Sequence, residues 1–122
     1  MKMNEQTFYD QNGKPIAYSE DGENIYLFSG KPVAYIKDEY VYRFSGSEIG
    51  TFENGWIRDL TGNCVFFTDA AIGSGPIKPI KGIKPIKGVK HICPIKGIPQ
   101  IPRIKSIPSL SWSSYSGQQF FD

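Results

Sequence analysis

Four glycine-centred segments of nearly equal length constrain the fold of this chain most. They centre on Gly13, Gly30, Gly46 and Gly62. These glycines are 17, 16 and 16 residues apart, and the first two segments share the pattern Gly-Lys-Pro-(Ile/Val)-Ala-Tyr. Repetition at a fixed period indicates that one supersecondary unit is copied along the chain. Residues 8–67 therefore contain four copies of the same short unit.

Local chemistry favours a β-hairpin for each copy. A small polar residue precedes each glycine, and short runs rich in Tyr, Phe, Ile and Val flank it, as half-buried strands prefer. Asn12-Gly13 is a strong signal for a two-residue turn, because a type I′ turn requires positive φ at both central positions. We therefore predict two-residue turns, four glycines that have positive φ or lie in tight hairpin turns, and no helix longer than two turns before residue 70.

Pairing across a two-residue turn predicts the two faces of each hairpin. The residue four before the glycine should oppose the residue three after it, which gives Tyr9–Ile16, Tyr26–Val33, Tyr42–Ile49 and Arg58–Val65. The opposite face receives Phe8, Ile25, Val41 and Ile57 with the small residues Ala17, Ala34 and Gly50. Small residues there suggest close approach near a shared axis. Since a lone hairpin is marginal in water, we expect an all-β domain at residues 1–70, with four hairpins in a pseudo-fourfold, propeller-like ring.

The repeated unit aromatic-Tyr-x-x-x-Gly-x-x-(Ile/Val)-(Ala/Gly)-aromatic resembles that of the bacterial 4-fold β-flower proteins. The last eleven residues, Trp112-Ser-Ser-Tyr-Ser-Gly-Gln-Gln-Phe-Phe-Asp122, are similar to the way such proteins often finish. The resemblance implies a small all-β ring and implies no activity. The fourth unit departs from the pattern, with Arg58 in place of the Tyr and Phe66 in place of the small residue, so strict symmetry is not expected there.

A second, finer repeat occupies the tail, residues 71–111. From residue 77 to residue 110, Ile, Val or Leu stands at every third position, and Lys, Pro and Gly fill most of the others. A strand would throw alternate isoleucines to opposite faces, the prolines exclude an α-helix, and most triplets lack the Gly that collagen needs. A polyproline II helix has three residues per turn and accepts proline. It would place all the isoleucines on one edge.

The apolar edge of the tail needs a partner surface. Burying an Ile stabilises by about 1.5–3 kcal/mol, so full exposure of twelve such residues is unfavourable. Two arrangements would bury them: the tail folds back over the head, or it packs on the tails of other subunits. The alternative is a disordered low-complexity linker, against which the unbroken periodicity argues.

Charge divides the chain into an acidic head and a basic tail. Residues 1–70 carry six basic and eleven acidic side chains, a net charge of −5, while residues 71–122 carry eight basic and one acidic, a net charge of +7. Either head and tail attract each other, or the tail is a basic arm for nucleic acid or an anionic surface. The candidate contacts to such a partner are Lys78, Lys81, Lys84, Lys87 and Lys90. Stacking aromatics are missing between 71 and 111, so single-strand binding is unsupported.

Aromatic residues return in the final segment, residues 112–122. Trp112, Tyr115, Phe120 and Phe121 offer large apolar areas. A chain end usually frays unless it is tied down, so we predict that these four side chains dock on the ring or on a neighbouring subunit. Ser113 or Ser116 could cap one short helical turn.

No reaction centre is recognisable. His91 is the only histidine and lies in the repetitive tail, and a zinc site with Cys64 and Cys93 lacks ligands and spacing. Asp10 and Asp59, at equivalent repeat positions, could form a carboxylate pair only if the ring brings them together. We therefore expect no catalytic residue, no metal and no cofactor. The expected protein is a cytoplasmic, non-enzymatic binding or assembly module without a membrane span or export signal, whose partner is itself, as a homo-oligomer, or another protein.

Overall fold

A computed structural model describes residues 5–115 and 117–122. Eight short strands account for the regular structure before residue 70. Their bounds are β1 Gln6–Tyr9, β2 Pro15–Ser19, β3 Asn24–Leu27, β4 Pro32–Lys37, β5 Tyr40–Tyr42, β6 Glu48–Glu53, β7 Trp56–Asp59 and β8 Cys64–Phe67. A 3-10 helix at Gly117–Phe121 is the other assigned element among the described residues.

The strands form a closed antiparallel barrel in chain order, and β8 returns to β1 through the Tyr9–Phe67 pair. Closure gives every strand two neighbours, which limits the edge available for strand addition from another chain. The sequence prediction of an all-β ring of four tandem hairpins is confirmed. No helix among the described residues is long and apolar enough to cross a membrane.

The hairpin turns differ from the two-residue turns expected from the sequence. The amide of Gly13 donates to the Asp10 carbonyl, and the amide of Asp10 donates to the Lys14 carbonyl, so the loop has three residues. The other three hairpins repeat these two bonds, and the glycines have φ of 80°, 101°, 104° and 92° in chain order. The type I′ prediction is therefore wrong: the glycine takes the left-handed position that ends a type I turn, and the preceding residue keeps negative φ.

A β-bulge in each hairpin also overturns the predicted pairing. Tyr9 opposes Pro15 and not Ile16, while Phe8 opposes Ala17, and the register shifts between the two pairs. The other hairpins shift at the same position, with the pairs Tyr26–Pro32, Tyr42–Glu48 and Arg58–Cys64. The extra residue of a bulge turns the following side chains to the other face. The aliphatic residues predicted to lie beside the tyrosines therefore pack toward the barrel interior.

The interior core contains the inward row of each strand. It comprises Phe8, Ala17, Ile25, Ala34, Val41, Ile57 and Phe66, all 0% exposed, together with Leu27, Ile49, Val65, Phe120 and Phe121. Small side chains at three of the four equivalent positions leave room for the large ones opposite. At the fourth, Phe66 fills the space and stacks on Phe121, with ring centroids 5.5 Å apart.

Candidate functional site

The tail encircles the barrel at the level of the glycine turns. Its main chain forms hydrogen bonds to each hairpin in succession: the amide of Gly82 donates to Gly13, that of His91 to Gly30, that of Gln100 to Gly46 and that of Ser109 to Gly62. The donors are nine residues apart, so three triplets of tail correspond to one hairpin. We call residues 77–110 the belt.

A second row of bonds follows the same nine-residue step. The amide of Gly88 donates to the Phe28 carbonyl and that of Gly97 to the Phe44 carbonyl, each at 2.7 Å. At the fourth hairpin the Ser106 hydroxyl replaces the amide and donates to the Leu60 carbonyl at 2.7 Å. The belt thus binds the repeated hairpins through their main chain.

Glycine on both sides permits this close approach. A Cβ on Gly30 would overlap the carbonyl oxygen of Val89, and one on Gly88 would overlap the carbonyl of Ser29. The other hairpin glycines face Ile80, Ile98 and Ile107 in the same way. These partners are again nine residues apart, so each hairpin glycine is required by the belt as well as by its own turn.

Lysines of the belt point inward, over the aromatic outer wall of the barrel. At two junctions between hairpins this wall is a stacked tyrosine pair, Tyr18–Tyr26 and Tyr35–Tyr42, with centroids 5.9 and 5.4 Å apart. The ammonium nitrogens of Lys87 and Lys96 lie 4.5 and 4.6 Å from the ring centroids of Tyr18 and Tyr35. Their aliphatic stems cover aromatic surface that would otherwise face water.

Carboxylates of the head neutralise most of these ammonium groups. Lys87 pairs with Glu5 and Glu20 at 3.2 and 3.0 Å, and Lys90 also reaches Glu20. Lys81 pairs with Asp69, Lys96 with Glu23, and Lys105 with Glu39 and Glu53. The ammonium group of Lys78 donates to the Ala71 carbonyl. Of the five lysines proposed as contacts to an anionic partner, only Lys84 makes no such bond within the described residues.

The isoleucines of the belt point outward. Every Ile and Val from 77 to 107 is between 87% and 97% exposed, and Leu110 is 69% exposed. The expectation that folding back over the head would bury this edge is therefore wrong. The lysines, whose ion pairs and ring contacts require the inner side, displace the isoleucines to the outer one. The result is a continuous apolar row around the barrel.

Arg58 joins the two ends of the belt. Its buried guanidinium donates to the main-chain oxygens of Gly62 and Ser109, each at 2.8 Å, and to that of Ser74. Ser74 precedes the belt and Ser109 lies at its end. The arginine that breaks the tyrosine pattern of the repeat thus occupies the junction at which the belt closes.

The final segment lies against the barrel, with one exception among its aromatics. Trp112 is half-buried beside Trp56 and Phe67, and Phe120 and Phe121 are 4% and 6% exposed against Phe66. Tyr115, predicted to dock with them, is 55% exposed. Ser113 donates its hydroxyl to Asp59 and accepts the amide of Tyr115, whereas Ser116 lies outside the described residues.

The side chains that could carry chemistry have structural roles. Asp10 and Asp59 each accept two amides of their own hairpin turn through Oδ1, so each has a structural role in its turn. Burial raises the pKa of the Cys64 thiol to about 11, which disfavours a thiolate nucleophile. Cys93 contacts the Tyr26 hydroxyl at 3.1 Å. His91 contributes its main-chain amide to the belt.

The signal missed at the sequence level is the nine-residue period within the triplets. The tail contains four copies of a nine-residue unit, and Lys78, Lys87, Lys96 and Lys105 occupy the same position in each copy. Apart from the aliphatic positions, this is the one position at which all four copies have the same residue. Four copies in the tail match four hairpins in the head. This correspondence indicates that the tail follows the ring.

Fold and belt together define a class of small closed barrels made of four hairpins and enclosed by their own tail. The model of the 4-fold beta flower protein family matches residues 6–121, and the chain belongs to that family. No curated protein and no solved structure matches the chain.

Proposed function

We propose that this protein is a non-enzymatic assembly module whose belt packs against the belts of other copies of the same chain. The observation that carries this proposal is the outward row of twelve apolar side chains. Monomers rarely expose contiguous apolar patches above about 300–600 Å², and larger ones mark interaction sites. At about 1.5–3 kcal/mol per buried side chain, covering even part of the row supplies a substantial driving force.

A second copy is the partner that best suits this surface. The nine-residue period gives four similar quarters, each with three apolar side chains, so two copies present the same row to each other. Such self-complementary contact is the usual basis of homo-oligomers. The formal net charge is only +2, and most belt lysines are paired with carboxylates, so electrostatic repulsion between copies is weak.

The geometry favours several weak contacts over one strong one. A stable interface commonly uses about 20–30 residues on each side, and one quarter of the belt offers far fewer. A row that surrounds the barrel can meet neighbours in several directions. We therefore expect association that grows with concentration and does not stop at a dimer.

Sedimentation velocity over a range of concentrations tests the proposal. The full chain should form larger species as concentration rises, and a variant carrying Ile92→Ser and Ile101→Ser should associate less. The matched control is Asn12→Ser with Gln118→Ser, two exposed polar positions outside the belt, which should behave as the unmodified chain. A full chain that stays monomeric at millimolar concentration, or a belt variant that associates equally well, would overturn the proposal.

Salt separates this function from binding to nucleic acid or another anionic surface. Hydrophobic association persists or strengthens in sulfate, whereas phosphate binding weakens steeply as salt rises. Ion pairs between five of the seven belt lysines and the head's own carboxylates reduce the free positive charge on the belt. We therefore expect the assemblies to survive high salt.

A further inference from the structure

Exposed apolar side chains of this protein are concentrated on the rim, the outer surface of the belt. Among the described residues, the exposed large hydrophobic side chains are the twelve of the outward row, Ile72 and Tyr115. Contiguous exposed apolar surface of this kind marks an interaction site. The rim is therefore the surface from which the exclusion of water is most favourable.

Polar side chains occupy the turns at both ends of the barrel. The exposed residues of the glycine turns are Asn12, Lys14, Ser29, Lys31, Ser45 and Thr61. The turns that join the hairpins at the opposite end expose Asp21, Glu23, Lys37, Asp38, Glu39 and Asn54. Close packing through either end would remove charged groups from water, which is unfavourable without a matched partner. Contact along the rim leaves both ends hydrated.

The rim presents its apolar side chains in four directions. We divide the belt into quarters, residues 77–85, 86–94, 95–103 and 104–110. Each quarter carries three of the twelve apolar residues and bonds one hairpin through one amide of the nine-residue row. Because the four hairpins follow one another around a closed barrel, the first and third quarters lie on opposite sides, and so do the second and fourth. One copy can therefore contact four neighbours at the level of the belt.

One quarter alone makes a weak contact. It offers three apolar side chains, whereas a stable interface commonly uses about 20–30 residues on each side. A copy held through several quarters dissociates more slowly, because the loss of one contact leaves the others in place. Association should therefore be cooperative: it begins above a threshold concentration and then extends in the plane of the belt.

We infer that copies of this chain pack rim to rim into a layer one barrel thick, in which each copy contacts up to four neighbours, one through each quarter of its belt. The inference rests on the proposed function, to which it adds the direction and the number of the contacts. Facing quarters bury apolar side chains against each other, while the polar turns at the two ends form the two surfaces of the layer.

Electron microscopy and atomic force microscopy of the full chain test the inference. Samples in about 0.5 M NaCl keep hydrophobic contacts and screen attraction between charged ends. Flat layers should form, and their height should equal that of single molecules adsorbed on the same surface. Clusters without a uniform height would overturn the inference and leave belt-mediated association in place, whereas a full chain that does not associate would overturn both.

A variant altered in two opposite quarters should form straight rows instead of layers. Val89→Ser with Ile92→Ser removes apolar side chains from the second quarter, and Ile107→Ser with Leu110→Ser removes them from the fourth. The first and third quarters remain on opposite sides of the barrel, so each copy keeps two neighbours in a line. All four positions are exposed, so the dilute variant should keep the melting temperature of the unmodified chain.

The matched variant alters two adjacent quarters with the same number of serines. It keeps Val89→Ser and Ile92→Ser and adds Ile98→Ser and Ile101→Ser in the third quarter. The first and fourth quarters then remain side by side, so its copies should form closed groups of four or zigzag rows. Straight rows in both variants, or extended layers in either one, would overturn the inference.

Discussion

Glycine at the hairpin turns meets two separate requirements. Positive φ disfavours any residue with a Cβ, and the main-chain oxygen of the belt occupies the space that a Cβ would take. The first requirement belongs to the turn alone, while the second exists only because the belt passes there. Alanine substitutions at two glycines, only one of which contacts the belt, distinguish the two requirements.

Gly30→Ala should destabilise far more than Gly73→Ala. Gly30 has φ of 101° and lies against Val89, whereas Gly73 has φ of 79° and open space, with no atom within 4 Å of the point where a Cβ would stand. We expect a loss of about 1–2 kcal/mol for Gly73→Ala from φ alone, and a clearly larger loss for Gly30→Ala. Urea unfolding measures both, and equal losses would show that the belt does not contact the turn.

Glu20 gives the head its clearest acid sensitivity. Hydrogen bonds from Lys90 and then Lys87 lower its pKa from 4.5 to about 2. A folded-state pKa below the unfolded one means that the stabilisation is complete above about pH 4.5 and is lost as the pH falls toward 2. Because 30% of the Glu20 side chain remains exposed, solvent screening keeps the contribution small.

The melting temperature should therefore fall between pH 5 and pH 2, and that of Glu20→Gln should fall less over the same interval. Asp38→Asn is the control, since Asp38 makes no ion pair within the described residues. Its decline should match that of the unmodified chain. A Glu20→Gln decline as steep as the unmodified one would contradict the role given to this carboxylate.

At the scale of the element, the belt reverses the usual relation between polarity and burial. Its lysines cover tyrosine rings and meet carboxylates, while its isoleucines face water. Stability of the isolated molecule should therefore depend on the lysines and not on the isoleucines. This is the opposite of what composition suggests.

Lys87→Ala should lower the free energy of unfolding by about 1 kcal/mol, through the lost ring contact and ion pairs. Ile86→Ser, at the neighbouring position and 96% exposed, should change it by less than about 0.5 kcal/mol. Lys84→Ala serves as the lysine control. Thermal unfolding at low protein concentration, where association is absent, measures these changes. A larger loss of unfolding free energy for Ile86→Ser than for Lys87→Ala would contradict the inward orientation of the lysines.

The hairpins show which parts of the fold could be predicted from sequence. Repeat length, strand composition and the need to close four marginal hairpins predicted the all-β ring. The loop length was missed because a small polar residue followed by glycine suits both a three-residue loop and a two-residue turn. The bulge was missed because an alternating pattern with one extra residue is still typical of a strand.

The belt shows which parts of the tail structure could not be predicted from the triplet period. A three-residue period predicts that all isoleucines share one edge, and the polyproline II conformation stays a prediction. Periodicity alone does not say which way that edge faces. The hydrophobic effect favoured the inward direction, but main-chain bonding to the turns and the Lys–Tyr contacts decided otherwise.

At the scale of the whole molecule, the chain is a barrel enclosed by its own tail with an apolar rim. Arg58 donates hydrogen bonds to the main chain at both ends of the belt, and Phe120 and Phe121 pack against the core at one end of the barrel. Head and tail are therefore one structural unit, which agrees with a family match that extends from the first strand to the 3-10 helix. The outward orientation of the isoleucine row is the feature on which the proposed assembly depends.

Methyl NMR with a soluble gadolinium chelate tests that orientation most directly. In a dilute sample with ¹³C-labelled isoleucine methyls, the belt methyls should relax strongly, while the core residues Ile25 and Ile57, both 0% exposed, should be protected. Raising the protein concentration should then protect the belt methyls as copies associate. Belt methyls that are as protected as Ile25 and Ile57 in the dilute sample would contradict the account.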